Sequence, residues 1–282
     1  MHKNYFVSSL AFLGQPVDKM VRICIENQIN LEFSSGMPFM QNMEEIYLNA
    51  KLSKMPHNYF PAPETPFVLN LGSKDEQIRK KSIEHCKNGL RLSSISASPF
   101  FAAHAGFCID PNPEELGRKI AFSQDFDDAL HKKLFRESVL EILEYADQLG
   151  IDFLIENNVL APFNYNGVNP LLCCDSGGIN EFFKEINHPR IGLLLDTAHL
   201  KVTSNTLQLD LEDELDKIRN TIKAIHHSDN NGEIDDNQPL GKNYWFLKHM
   251  SHFNSLVHVL EVKKQSLEEI NEQISLLQNF GN

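Results

Sequence analysis

The chain has 282 residues, of which 41% are hydrophobic and 23% are charged, and its formal net charge is −12. This size suffices for one large hydrophobic core, and α/β barrels of about 250 residues commonly form one domain, so we expect a single domain over residues 1–282. The acidic balance argues against a general basic surface for nucleic acid, and no apolar run reaches the roughly 18 residues of a membrane-spanning helix.

The amino-terminal residues and the cysteines both favour a cytoplasmic location. The opening residues are too polar for a secretory signal peptide. The five cysteines are odd in number and show neither a disulfide framework nor zinc-knuckle spacing, so we expect reduced thiols.

Apolar runs with the length of buried β-strands recur along the whole chain, with longer amphipathic segments between them. A run without polar alternation is typical of a parallel strand that is covered on both faces. The eight candidate strands are Tyr5–Leu13, Ile29–Phe33, Phe67–Leu71, Phe100–Ala103, Phe153–Ile155, Ile191–Leu195, Ile222–Ile225 and Leu256–Leu260.

Helix signals fill the gaps between these strands. Ser73–Glu76 and Ser266–Glu269 have the pattern of a capping box, and Asp127–Leu149 has helical periodicity that ends at Gly150. Eight strands that alternate with helices predict an α/β fold, a single (β/α)8 TIM barrel. Two segments are expected to be long loops on its active face, Asn164–Gly178 and Val202–Asp213.

Acidic and imidazole side chains close several of the apolar runs. In a barrel the carboxyl ends of all strands meet at one face, so these side chains should converge. Carboxylate oxygens and imidazole nitrogens suit a divalent ion such as manganese, zinc or cobalt, and without a cation the clustered carboxylates would repel one another. The residues in question are His104, Glu156, Asp196, His226 and Glu261.

Each of these residues also has a structural alternative. Asp196 is equally suited to cap the next helix, and the two glutamates could be salt-bridge partners at strand ends. His104 could form a hydrogen bond within the barrel. His226 and His227 compete for one role, because a shift of one residue reverses the face of a strand.

The strand ends resemble the xylose isomerase-like TIM-barrel superfamily, which includes endonuclease IV and the sugar phosphate isomerases and epimerases. The resemblance extends from His57 to Glu261 and is most specific at Leu195-Asp-Thr-Ala-His199, at His226-His-Ser-Asp-Asn230 and at Asn70–Ser82. It implies a principal metal site of Glu156, Asp196, His226 and Glu261, a second metal or substrate site with His57, His104 and a shared Glu156, and a third site with His199 and Asp235.

Two departures separate this chain from the endonuclease branch. Endonuclease IV carries Asp-x-His before its last strands, whereas this chain reads Asp235-Asp-Asn237, and asparagine is a poor zinc ligand. We therefore expect the third site to be weak or absent. The stretch His57–Phe67 holds additional prolines, which would rebuild the loop that the endonucleases use near DNA.

The function expected from the resemblance is a metal-dependent isomerase or epimerase of a sugar or small hydroxy-carbonyl compound. Glu156 and Glu261 would act as acid and base through an enediolate that the metal stabilises. The alternatives are an endonuclease IV-like phosphodiesterase on abasic DNA and a barrel that binds a sugar or metal without turnover. We expect a small-molecule partner, no membrane and no nucleic acid, and we allow for a homo-oligomer; weaker candidates for substrate contact are Lys201, Asp229 and Trp245.

Overall fold

Eight short parallel strands form one sheet in the computed structural model, which describes residues 4–34, 36–115, 118–120 and 127–281. The strands are β1 (Tyr5–Ser8), β2 (Leu31–Phe33), β3 (Lys54–Pro56), β4 (Phe100–His104), β5 (Asp152–Glu156), β6 (Ile191–Asp196), β7 (Ile222–His227) and β8 (Val257–Leu260). Their order is β3-β2-β1-β8-β7-β6-β5-β4, and an isolated parallel bridge between His57 and Ala102 links the two edges. The predicted TIM barrel is confirmed.

Helices connect the strands and cover the outside of the barrel. Within the described residues they are α1 (Val17–Glu26), α2 (Met43–Asn49), α3 (Glu76–Ser96), α4 (Asp128–Leu149), α5 (Ser176–Ile186), α6 (Thr197–Leu207), α7 (Leu211–Ile218), α8 (Met250–Phe253) and α9 (Leu267–Gly281). None of the helices that the structure describes combines the length and the apolar character needed to cross a bilayer. All five cysteines are buried and free.

Strand residues alternate between the barrel interior and the surrounding helices, as the two-residue period of a β-strand requires. Phe101, Leu193 and Leu195 pack in the large core between strands and helices. The residues on the other face form a separate interior cluster of Phe6, Met55, Phe100, Ala102, Leu154, Leu194, Ala224 and Val259.

The predicted third strand, Phe67–Leu71, is wrong. Those residues pair with no strand, and the third position in the sheet belongs to β3, which has only three residues. The strand β3 could not be predicted from an apolar run, because lysine and proline occupy its two ends. Lys54 is accommodated because its ammonium group donates hydrogen bonds to the carbonyl oxygens of Leu48 and Ala50. The first strand was also predicted too long, since a 3-10 turn over Ser9–Phe12 follows β1.

The predicted loop Val202–Asp213 is wrong as well, because most of it lies in α6 and α7. The sequence of α6 is rich in threonine, serine and asparagine, which favour caps and turns when considered locally. The actual break is at Gln208, whose φ is +58°. The other predicted loop, Asn164–Gly178, is irregular from Tyr165 to the cap of α5 at Asp175.

One of the two predicted capping boxes is confirmed. In Ser266–Glu269, the Ser266 amide donates to Oε2 of Glu269 at 2.7 Å, and the Glu269 amide donates to the serine hydroxyl at 3.2 Å. In Ser73–Glu76 the cap is instead Asp75, whose Oδ1 accepts from the amides of Gln77 and Ile78. Ser73 accepts from the amide of Asp75, one step before the helix.

The predicted helix Asp127–Leu149 is confirmed as α4. Asp127 caps its first turn, and Gly150 ends it with φ +70°. The face that is buried contains Phe135, Val139 and Ile142, whereas Leu130, one of the apolar residues on which the prediction relied, is exposed.

We expect replacement of Gly89 by alanine to destabilise the protein. Gly89 in α3 lies against the buried ring of Phe101, which an added methyl group would overlap. Overpacking of this kind costs about 1–3 kcal/mol, which exceeds the roughly 1 kcal/mol that alanine contributes in a helix. Urea unfolding of Gly89→Ala should therefore show a lower free energy of unfolding than the parent protein.

The matched control is Gly178→Ala in α5, where an added Cβ would lie 3.8 Å from its nearest neighbour, Oδ1 of Asp175. This variant should be as stable as the parent protein or more stable. An equal gain in both variants would contradict the packing of Gly89 against Phe101.

Candidate metal centre

The candidate site lies at the carboxyl-terminal mouth of the barrel, on the interior face of the strands. A step of two residues along a strand preserves its face. Six polar residues each lie two positions after a member of the interior apolar cluster, and they are His57, His104, Glu156, Asp196, His226 and Glu261. Strand alternation therefore directs all six side chains into the same space.

Four of these residues form the largest group of metal-ligand types among the described residues. Glu156, Asp196, His226 and Glu261 each offer one atom, and these four atoms lie within 4.8 Å of one another. Nδ1 of His226 is 2.9 Å from Oε2 of Glu261 and 3.5 Å from Oε1 of Glu156. The structure thus brings together the four residues predicted for the principal site.

Asp196 serves two purposes with its two oxygens. Oδ1 accepts hydrogen bonds of 2.8 Å from the amides of Ala198 and His199 and so caps α6. Oδ2 is buried and has no hydrogen-bond partner. Both interpretations of this residue from the sequence are therefore compatible, because the helix cap uses only one face of the carboxylate.

The electrostatics of the group favour positive charge at its centre. Burial raises the pKa of Asp196 to about 7, and the neighbouring carboxylates oppose its ionisation further, against the attraction of His199. Burial would also raise the pKa of Glu156, but the attraction of His104, His57 and His226 outweighs it and holds that pKa well below its usual range. Clustered carboxylates of this kind are stabilised by any nearby cation.

The register of β7 decides between the two adjacent histidines. His226 points into the mouth, whereas His227 points outward into a separate hydrogen-bonded chain. Nε2 of His258 donates to the carbonyl oxygen of Phe253, so its Nδ1 accepts from Nε2 of His227 at 2.9 Å. Nδ1 of His227 then accepts from the hydroxyl of Tyr244 at 3.0 Å. Burial lowers the pKa of His227 well below its usual value, so this ring is neutral and structural.

Glu32 is a site residue that the sequence did not reveal. It lies in β2, is completely buried, and its Oε2 is 3.0 Å from Nε2 of His226. With Nε2 held in this way, Nδ1 of His226 is directed toward Glu156 and Glu261. A glutamate in the middle of a three-residue strand has no distinctive local pattern; only the interior face of β2 would have indicated it.

His57 and His104 approach the group from the other side of Glu156. Nε2 of His57 is 3.1 Å, and Nδ1 of His104 is 3.6 Å, from Oε2 of Glu156. These three residues form a second set of donors that shares Glu156 with the first. His57 follows β3 directly, which places it at a strand end although that strand was not predicted.

His199 and Asp235 form a pair at the rim. Nδ1 of His199 donates to the carbonyl oxygen of Asn157 at 2.8 Å, and Nε2 lies 3.2 Å from Oδ2 of Asp235. Burial lowers the pKa of His199, but Asp196 and Asp235 reverse this effect and raise it well above its usual value. Across the part of the chain that the structure describes, no third donor joins this pair to form a group of its own.

The three weaker candidates for substrate contact lie apart from the group. The ammonium group of Lys201 donates to Oδ1 of Asp229 at 2.7 Å and to the carbonyl oxygen of Asn230. Trp245 packs against Phe246 and His249. None of the three is among the described residues that line the cavity next to the site.

Comparison with known proteins identifies the family. The sequence profile of xylose isomerase-like TIM barrels matches residues 44–280. The chain belongs to this family. An uncharacterized protein of Methanocaldococcus jannaschii is 24% identical over 208 residues, which cover 72% of this chain and 69% of the relative.

Two further similarities are to sugar epimerases and related proteins. Fructoselysine 3-epimerase of Escherichia coli O157:H7 is 24% identical over 179 residues, which cover 61% of this chain and 54% of that enzyme. The match thus spans little more than half of the epimerase. The crystal structure of a D-tagatose 3-epimerase-like protein superposes with a TM-score of 0.73 and 18% identity, covering 98% of this chain and 96% of the other, which supports the shared fold.

The donor set of this xylose isomerase-like barrel fits a divalent cation. Oδ2 of Asp196, and Oε1 of Glu32 beside His226, are buried without a hydrogen-bond partner. Such atoms are costly in a folded protein unless a ligand satisfies them. Three carboxylates and one imidazole are donors that manganese, zinc and cobalt accept. These residues could therefore hold one cation, whose identity remains a prediction.

We expect Glu32→Ala to weaken the binding of a divalent metal ion by about 10- to 100-fold, the usual effect of removing a hydrogen-bond partner from a ligating histidine. Without Oε2 of Glu32, nothing fixes the ring of His226 through Nε2. Glu32→Gln keeps an acceptor and should lose less affinity. The measurement is competition for manganese or zinc against a chelating indicator.

Glu214→Gln supplies the control. Glu214 is also a buried carboxylate, but its oxygens accept from the amide and hydroxyl of Ser176 in a different part of the barrel. The metal affinity of the Glu214→Gln variant should match that of the parent protein. Equal losses in Glu32→Ala and Glu214→Gln would show a general effect on folding and not an effect on His226.

Proposed function

We propose that this protein is a metal-dependent isomerase or epimerase that acts on a sugar or a sugar derivative. The observation that carries the proposal is the convergence of Glu156, Asp196, His226 and Glu261 within 4.8 Å at the barrel mouth, where Oδ2 of Asp196 is buried without a hydrogen-bond partner. The similarity to fructoselysine 3-epimerase agrees with this chemistry.

The two glutamates are arranged for proton transfer from two sides. Glu156 ends β5 and Glu261 follows β8, with β6 and β7 between these strands in the sheet. A substrate bound between them would present one face of its reacting carbon to each carboxylate. One glutamate would take the proton beside the carbonyl group and the other would return a proton, which inverts the centre or moves the carbonyl group.

The remaining residues of the site orient these groups. A divalent cation held by the four donors would act as a Lewis acid that polarises the carbonyl and hydroxyl oxygens of the substrate. Glu32 fixes the ring of His226, and the backbone amides of α6 fix Asp196. His199 lies at the rim with its Nε2 toward Asp235, where it can bind a substrate hydroxyl.

The first test is exchange of carbon-bound hydrogen for solvent deuterium. Simple ketoses and their derivatives would be incubated in deuterium oxide with the manganese-, zinc- or cobalt-loaded protein. We expect Glu156→Gln and Glu261→Gln to exchange about 10²- to 10⁴-fold more slowly, because glutamine cannot accept the proton. Both variants should retain most of their metal, measured on the same samples.

Asp196→Asn and His226→Ala provide the contrast. They should lower metal occupancy first, and activity should partly return at high metal concentration. Near-normal turnover with full metal in both glutamine variants would refute the two-glutamate mechanism. If the activity of Glu156→Gln and Glu261→Gln fell only in proportion to their metal content, the two glutamates would have a purely structural role.

Metal stoichiometry separates this proposal from a phosphodiesterase that uses three ions. Three donor groups occur among the residues described, but they overlap: two share Glu156, and the third, Glu32 with His57 and His226, takes one histidine from each of them. The pair of His199 and Asp235 is part of none of these groups. We expect one tightly bound divalent ion per chain, and two at most, by elemental analysis after dialysis. Three stoichiometric zinc ions would favour the endonuclease IV-like alternative.

A further inference from the structure

A cavity of about 500 Å³ lies beside the candidate metal centre, where its lining residue His104 contacts Glu156. His104, His199 and Asp235 contribute to its lining at the metal end. The opposite walls consist largely of aromatic and aliphatic side chains, Phe67, Leu69, Phe107, Phe163, Leu171 and Ile234. The cavity therefore joins a polar reaction end to an apolar chamber.

The polar residues of the chamber are already engaged with the backbone. The amide group of Asn158 donates to the carbonyl oxygens of Gly106 and Leu172. Asn164 accepts from the amide of Ile120 and donates to the carbonyl oxygen of Arg118. Both N–H donors of Asn158 and one of the two of Asn164 are thus used within the protein, and a sugar hydroxyl buried without a partner is unfavourable.

The charges around the chamber do not suit a phosphate group. Within the described part of the chain, no lysine or arginine side chain lines the cavity, and the ionisable residues that do are His104, His199 and Asp235. A phosphate would therefore meet no lysine or arginine, and the imidazole of His199 is already paired with the carboxylate of Asp235. Phosphate sites instead use arginine, lysine or backbone amides at a helix start.

Two apolar side chains remain exposed at the mouth of the chamber. Phe163 is 41% exposed and Ile234 is 49% exposed, although both line the cavity. An apolar group that filled the chamber would remove part of this surface from water, which is worth about 25 cal/mol for each Å² covered.

We infer that the substrate is a sugar derivative that carries an uncharged apolar substituent, such as an aryl or alkyl group, and that this substituent occupies the chamber while the sugar reaches the metal centre. This inference rests on the proposed isomerase or epimerase function. It names a substrate class different from both free and phosphorylated sugars.

The test compares four probes with the metal-loaded protein: D-fructose, D-fructose 6-phosphate, 1-O-benzyl-D-fructose and 6-O-benzyl-D-fructose. Calorimetry gives binding, and solvent-deuterium exchange gives turnover on the same samples. We expect one of the benzyl compounds to bind at least about tenfold more tightly than D-fructose, given the surface of one aromatic ring. The phosphate should bind more weakly than D-fructose.

Two variants locate the benzyl group. Phe163→Ala and Ile234→Ala truncate exposed side chains, so neither should unfold the protein, and each should weaken benzyl binding several-fold more than it weakens D-fructose binding. The matched controls are Phe280→Ala and Ile95→Ala, which truncate side chains that are 46% and 59% exposed on α9 and α3. These controls should bind all four probes as the parent protein does.

Failure of this inference can be distinguished from failure of the proposed function. Tighter benzyl binding that depends on Phe163 supports the chamber even if no probe exchanges deuterium, in which case the reaction and not the chamber is wrong. If D-fructose or its phosphate exchanged deuterium as efficiently as the benzyl compounds, the proposed role of the chamber would be refuted, whereas the proposed reaction would still stand. Absence of measurable benzyl binding would likewise overturn it.

Discussion

The mutual repulsion of buried carboxylates at one end of the barrel is the constraint on which the rest of the site depends. Glu32, Glu156 and Asp196 are almost completely removed from water, and Glu261 lies beside them. Such groups are tolerated only where hydrogen bonds or cations compensate for lost hydration. Imidazole rings surround the carboxylates, and backbone amides bind the free side of Asp196, but several oxygens stay unpaired. The buried carboxylates would therefore be stabilised by a cation bound between them.

The two-residue period of the strands brings these ionisable side chains together at the barrel mouth. Because alternate residues face the interior, an apolar side chain such as Leu154, Leu194 or Ala224 fills the barrel, and the second residue after it enters the mouth. Apolar packing below and ionisable groups above are consequences of the same alternation. The packing makes the strands rigid, and the rigidity sets the distances between ligands. One face of the sheet therefore provides both the apolar packing and the positions of the ionisable side chains.

Much of this arrangement could be predicted from residues at the ends of apolar runs. The long strands β5, β6 and β7 gave clear signals, so Glu156, Asp196 and the pair of His226 and His227 could be placed at strand ends from the sequence, whereas the choice of His226 came from the family resemblance. The parts that were missed lack such signals. β3 is three residues long and contains lysine and proline, and Glu32 is an isolated acid in an equally short strand. Their positions are set by pairing with neighbouring strands, which is information that no local window of the sequence contains.

The divided role of Asp196 affects how related sequences should be interpreted. A short polar residue is needed here for the start of α6 whether or not any metal is bound. Asparagine caps a helix about as well as aspartate does, so selection for the fold alone would accept either. Glu156 does not cap a helix, since its oxygens lie among the histidines and carboxylates of the candidate site. In a lineage that had abandoned the chemistry, loss would therefore become visible at Glu156 while position 196 continued to look functional.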